Sequence, residues 1–270
     1  MGRNSEPRST IATTSGRFAG TSGLVLAVGL CLLMWTCGCD RDKPAGTSGG
    51  AQPRKNVTAA PPTEFGTIKG RVKLLGWDKK PAPIPDDCCK LGPNDLVDET
   101  VIQDAQRNLR FVVLSVRDCP PTGKDRTETV VLDQVKCRFT PHVLAVQVGQ
   151  PLDVKNSDPT IHNVHMVTEK NPPVNIGMPR PETRHYKMKE AEIFPVKCDV
   201  HPWMKAHVAV FDHPCFAVSA VDGTYEINTA PAGPWTLVAW HEKFGEIEQT
   251  INVPANGSVA VEITYQAPKE

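Results

Sequence analysis

From residue 65 to the C-terminus the sequence alternates apolar and polar residues with a period of two. "TIKGRVKLL" (Thr67 to Leu75), "AHVAVF" (Ala206 to Phe211), "GTYEI" (Gly223 to Ile227) and "SVAVEITY" (Ser258 to Tyr265) each set their apolar side chains on one side of an extended backbone. Val208 and Val210 fall together, as do Tyr225 and Ile227, and Val259, Val261, Ile263 and Tyr265. "LRFVVLSV" (Leu109 to Val116) reads as a buried strand. "TVVLDQVKCRF", "HVLAVQVG" and "PLDVKN" add short strands bounded by Gly, Asp, Asn and Pro. No segment carries a convincing helical stripe, and "ETVIQDAQRN" (Glu99 to Asn108) is the one candidate for a turn of helix. The 25 Pro and 20 Gly among 270 residues suit many turns between short strands. The expectation is an all-β chain whose strand number and spacing suggest sandwiches.

Charge narrows the partners. There are 30 basic and 30 acidic side chains, so the formal net charge is zero. A nucleic-acid binder would show a basic excess or stripe, and none is expected to bind here. Before the alternating region, Arg3, Arg8 and Arg17 precede the apolar run "GLVLAVGLCLLMW" (Gly23 to Trp35). That run is short for a membrane span and fits a signal-peptide core. "TCGCD" follows and resembles a bacterial lipoprotein cleavage site, which implies lipidation of Cys39, with Cys37 the second candidate. Residues 1–38 are therefore expected to be a lipoprotein-type signal peptide. Residues 39–64, rich in Gly, Pro, Ser, Thr and Ala, are expected to be a disordered tether. The mature chain is expected in the periplasm or cell envelope, held to the membrane by its lipid. Plain secretion with cleavage elsewhere is the alternative.

Nine cysteines are present, three of them in the export segment. The other six, Cys88, Cys89, Cys119, Cys137, Cys198 and Cys215, would meet an oxidising compartment. Connectivity is not readable from sequence. The favoured pair is Cys88 or Cys89 with Cys137, because these lie outside the loop considered next.

"KCDVHPWM" (Lys197 to Met204) places a thiol, an imidazole and a thioether at Cys198, His201 and Met204. Upstream, "VGQPLDVKNSDPTIHNVHMV" reads strand, turn, strand and carries His162. Together these segments resemble the cupredoxin family over about residues 135–212. In that family a "GQxLxVxN" strand and a loop with Asp or Pro lead to "H-N", and one later loop supplies Cys, His and usually Met. The resemblance implies one type 1-like copper ion held by His162, Cys198 and His201, with Met204 as axial ligand. Asn163 would tie the two ligand loops, its backbone N–H aimed at the thiolate. Asn156 would cap the loop before His162, and Trp203 would cover the copper or offer an apolar docking face. Cys198-x2-His201 matches the plastocyanin-like spacing. His201-x2-Met204 is shorter than in plastocyanins and matches the end of the binuclear copper A loop. That binuclear site needs two cysteines in one loop, so the expectation stays mononuclear.

The chemistry needs these residue types. Two imidazoles and a thiolate beneath a weak thioether suit copper in both oxidation states. No open coordination position is required, so an electron carrier rather than an enzyme is expected. Its partners would be redox proteins, such as a dehydrogenase, a cytochrome or an oxidase. His165 and His207 are weaker alternative ligands. His142, His185, His213 and His241 read as surface or otherwise satisfied histidines. Zinc also takes Cys and His, but the thioether argues against it. A catalytic Cys198–His201 pair would leave His162 unexplained.

"DGTYEINTAPAGPWTLVAWHEKFG" resembles the carboxypeptidase regulatory-like β-sandwich, through Asp222-Gly223 and Pro231-Ala232-Gly233. Two units are expected: residues 65–212 as a Greek-key cupredoxin β-sandwich with an N-terminal extension, and residues 213–270 as the smaller sandwich. "GTIKGRV" (Gly66 to Val72) fits that smaller family's opening strand, so a discontinuous arrangement that includes residues 65–75 is the alternative. The whole also resembles proteins grouped as methylamine-utilisation-like. Two other functions are kept open: a periplasmic copper carrier or storage protein, and a metal-free sandwich that binds carbohydrate or protein at the cell surface.

Overall fold

The computed structural model describes residues 62–268, apart from 86–88, 90–91 and 93–94. The segments expected to be a signal peptide and, up to residue 61, a tether, with Cys37 and Cys39, lie outside the described residues, as does Cys88. The described chain is all-β, with sixteen strands and no helix. In order they begin with β1 (Phe65–Leu75), β2 (Val113–Val116), β3 (Val130–Val135), β4 (Arg138–Thr140), β5 (Val143–Gln147) and β6 (Pro151–Asn156). Then come β7 (His162–Met166), β8 (Val174–Met178), β9 (Glu182–Lys187), β10 (Glu192–Lys197) and β11 (Lys205–Phe211). The last are β12 (Phe216–Val218), β13 (Thr224–Pro231), β14 (Gly233–His241), β15 (Gly245–Val253) and β16 (Ser258–Gln266).

Four sheets form. One is ordered β4-β3-β6-β9 and another β5-β11-β10-β7-β8. Between them lies a core that includes Leu132, Phe139, Leu152 and Val154 from the first and Leu144, Val146, Val164, Phe194, Val208 and Val210 from the second. The other two sheets are ordered β13-β1-β16 and β12-β2-β14-β15. Their core joins Ile68, Val72, Leu74, Tyr225, Val261 and Ile263 to Leu114, Val116, Leu237, Ala239 and Ile251. The early strand β1 thus sits between β13 and β16, antiparallel to the first and parallel to the second. A glycine is needed at its centre. A Cβ on Gly70 would stand 1.7 Å from the Val261 carbonyl oxygen of β16.

A third core cluster lies between these two layered bodies. It holds Phe111, Val113, Val143 and Ala209, with Ala145, Phe211, Val218 and Trp240 packed around them. Alternation explains how one strand serves two cores. In β11, Val208 and Val210 face the first core, while Ala209 and Phe211 face the shared one.

Three local expectations need correction. The run from Thr129 to Phe139 is not one strand. Lys136 and Cys137 take φ of 53° and 52°, making a two-residue hairpin loop between β3 and β4. Positive φ at both central residues is what a type I′ turn needs, and here the Asp158 carboxylate holds it by accepting both N–H groups, at 2.7 and 2.9 Å. The strand expected over Leu109–Val116 forms only from Val113, because Phe111 has φ 66°. Glu99–Asn108 holds no helix. The Asp104 carboxylate accepts the N–H groups of Gln106 and Asn108 at 2.9 and 2.8 Å, a local turn that competes with helical hydrogen bonds.

Candidate metal centre

The β7 strand opens with His162, and the β10–β11 loop carries Cys198, His201 and Met204. That loop is tight. The Cys198 N–H donates to the Met204 carbonyl at 3.1 Å, and the Met204 N–H to the His201 carbonyl at 2.9 Å. Antiparallel pairing of β10 with β7 brings the loop beside His162. The Nδ1 atoms of His162 and His201 are 3.0 Å apart, and Cys198 Sγ is 3.8 Å from His201 Nδ1. One nitrogen from each ring and the sulfur all lie within 4.8 Å of one another. All three residues are buried, at 0, 3 and 5% exposure for His162, Cys198 and His201. A metal–imidazole bond is about 2.0–2.1 Å, so one ion reaches two nitrogens 3.0 Å apart. The donor set fits a metal.

The proton placement on His162 follows from its other nitrogen. Nε2 lies 2.8 Å from Asp158 Oδ2, and an ionised carboxylate only accepts. Nε2 therefore carries a proton, and whenever the ring is neutral the lone pair sits on Nδ1, facing His201. Asp158 is in turn fixed by the two N–H groups of the Lys136–Cys137 turn. A carboxylate that orients a ligating imidazole is a common feature of metal sites. Asp158 is not among the residues expected from the sequence. Its signal was present, an Asp four residues before His162 in "NSDPTIH", but its role depends on a turn more than twenty residues upstream, at Lys136–Cys137.

Burial works against an imidazolium at His162, but the Cys198 sulfur and the Asp158 carboxylate outweigh it and raise the pKa. Burial likewise works against a thiolate at Cys198. His162 and the N–H groups of Asn163, His201 and Val200 outweigh it and hold the thiol below its usual range. The Asn163 N–H donates to the sulfur at 3.3 Å. Cys198 is the free cysteine among the described residues.

The surrounding side chains are placed as follows. Asn163 links β7 to the β10–β11 loop, accepting the Asp199 N–H on Oδ1 at 3.1 Å and donating to Asn175 Oδ1 at 2.7 Å. Asn156 is fully buried. It donates to the carbonyls of Thr160 and Met178 at 3.1 and 3.0 Å and accepts the Asp158 N–H at 2.9 Å, which shapes the loop leading to His162. Trp203 lies against the His201 ring, with centroids 5.2 Å apart, and donates its Nε1–H to the Cys137 carbonyl at 3.1 Å. Met204 is 1% exposed and packs in the same buried cluster as Cys198. Cys89 is bonded to Cys137, and both sulfurs lie within 4.8 Å of a His201 ring nitrogen. A second disulfide, Cys119–Cys215, spans 96 residues and had no signal in the sequence. His165 turns outward to Asp199, 3.1 Å away. His207 lies on the far face of β11, beside Glu242 and His142.

No family model matches the sequence, and no curated protein is similar to it. Solved structures are. A Cu-containing nitrite reductase from Thermus scotoductus SA-01 matches at 20% identity and a TM-score of 0.29, over 35% of this chain and 25% of its own. A methionine-to-alanine variant of amicyanin in the Cu(I) state matches at 20% identity and TM-score 0.28, over 36% of this chain and 97% of its own. A reduced proline-to-glycine variant of amicyanin matches at 22% and 0.29, over the same shares. The chain thus spans a quarter of the reductase's length, and each likeness is confined to about a third of this chain.

Proposed function

We propose that this chain is an exported copper protein that passes single electrons between redox partners. One observation carries the reading: two imidazole nitrogens and an unpaired cysteine sulfur meet, buried, where β7 adjoins the β10–β11 loop. His162, His201 and Cys198 would hold one copper ion, with the Met204 thioether as a weak fourth ligand. Bound copper supplies a one-electron cycle between its +1 and +2 states, which this mixed nitrogen and sulfur set suits.

The protein's own residues keep the site still while the charge changes. Asp158 fixes the proton on the outer nitrogen of His162, so the inner one stays available. The Asn163 N–H steadies the sulfur, and the Asn163 side chain locks the two ligand segments together. Trp203 restricts His201 from one side. Ile161 and Val200, each next to a histidine ligand in sequence, are 47 and 46% exposed and offer a redox partner an apolar surface close to the site. The burial of the donors favours an electron carrier over an enzyme. The "TCGCD" motif supports a place in the cell envelope, with a lipid on Cys39 as the anchor.

Voltammetry of the copper-loaded chain tests the proposal. An electron carrier gives a reversible one-electron wave that disappears in Cys198→Ser. Tight copper binding with no reversible wave would instead mark a carrier or storage protein.

A further inference from the structure

A second cluster lies on the other face of β11, between the two layered bodies. His142 immediately precedes β5, His207 lies in β11, and Glu242 follows β14. The His207 N–H donates to the His142 carbonyl at 2.9 Å, which fixes the two histidine backbones side by side. The Glu242 carboxylate comes from the other body, meeting His142 Nε2 through Oε1 and standing 3.8 Å from His207 Nδ1 through Oε2. One ligand atom from each residue lies within 4.8 Å of the others.

A simple His142–Glu242 ion pair does not account for the third member. His207 Nδ1 is buried without a hydrogen-bond partner. Buried polar atoms are nearly always satisfied, and an orphan calls for an explanation such as an ion. Lys205 is the competing cation, with Nζ 3.9 Å from Glu242 Oε2. It is also 3.6 Å from Asp98 and hydrogen-bonded to Thr100, so it keeps partners if Glu242 turns to a metal.

We propose that His142, His207 and Glu242 form a second metal site, for a borderline divalent ion such as zinc(II), that links the two bodies at the edge of their shared core. Two histidines and a glutamate are an established zinc donor set. Binding needs a bare Nε2 on His142, so the His142–Glu242 hydrogen bond gives way to a metal bond from each partner. From sequence alone His142 reads as a surface or satisfied residue. It is 3% exposed and faces Glu242.

Zinc(II) titration of the whole chain carrying Cys198→Ser and His162→Gln tests this, because those changes remove two donors of the first centre. The expected result is one bound equivalent and a raised melting temperature. Adding Glu242→Gln or His207→Ala weakens binding by more than about tenfold, the scale of losses seen even for supporting residues at metal sites. His207→Gln, which keeps size and polarity, gives the same loss if the alanine variant does not fold. Cobalt(II) as probe shows d–d bands without a thiolate charge-transfer band. Failure of the background chain to bind zinc(II), or undiminished binding after Glu242→Gln in a folded chain, overturns the proposal.

Discussion

Replacing Asp158 with Asn should weaken the fold a little and the metal centre a great deal. The carboxylate accepts three hydrogen bonds: the Lys136 N–H on Oδ1, and the Cys137 N–H and His162 Nε2 on Oδ2. An amide keeps one acceptor oxygen and presents an NH2 group on its other arm. In the better orientation the oxygen serves Cys137 and His162, and the lost acceptor is the one at Lys136, an exposed residue whose N–H can turn to water. In the worse one, two buried donors face an NH2. An unsatisfied buried group costs about 1–3 kcal/mol, so the better orientation prevails and the fold loses only the net worth of one hydrogen bond, about 0.5–1.5 kcal/mol. The metal effect is separate. Without a full negative charge at Nε2, His162 is freer to place its proton on Nδ1, where the metal would sit. Loss of a supporting carboxylate typically reduces metal affinity by about 10–100-fold. Urea unfolding measures the first effect and competitive copper titration the second. Wild-type copper affinity in Asp158→Asn, with the modest stability loss present, would refute the idea that this carboxylate sets the tautomer of His162.

Three further outcomes are expected. Gly70→Ala should lower stability by about 3 kcal/mol, the upper range for overpacking, since the new Cβ meets the Val261 carbonyl; urea midpoints check it. His213 is buried, which depresses its pKa, and its Nδ1 accepts the Cys215 N–H at 3.2 Å. A depressed histidine pKa means the unfolded chain binds the proton more readily, so this stabilisation is full above about pH 6.5, the unfolded value, and is lost as pH falls. Unfolding curves at pH 7 and 5 should therefore show a shallower loss in His213→Gln than in the wild type. Glu192 accepts N–H groups from Glu169, Lys170 and Asn171 and the side-chain amide of Asn171. Glu192→Ala should free the β7–β8 connection and speed its amide exchange while β10 exchange stays slow.

The fold was legible where alternation is strict. β1, β11 and β16 can be read from "TIKGRVKLL", "AHVAVF" and "SVAVEITY" because one buried face leaves a period-two record. It was least legible where a side chain far away decides the backbone. Nothing in "LDQVKCRF" announces a turn at Lys136 and Cys137, since neither is a Gly or Asn; the turn is held by Asp158. The gathering of Cys198, His201 and Met204 in one loop could be read because they lie within one short segment. The His142, His207 and Glu242 cluster could not, since its meaning arises only when three distant segments converge, and Asp158 only in part, since the turn it holds lies more than twenty residues upstream. His207 shows the limit most clearly. Its sequence position, three after Met204, suggested the first centre, but strand alternation sends it to the opposite face of β11.

The most direct measurement is the visible absorption of the copper(II)-loaded chain beside that of Cys198→Ser. A thiolate bound to copper in a trigonal site gives an intense charge-transfer band. That band is expected at one copper per chain, and it disappears in the serine variant. A colourless wild type with copper(II) bound, or a coloured Cys198→Ser, would contradict it.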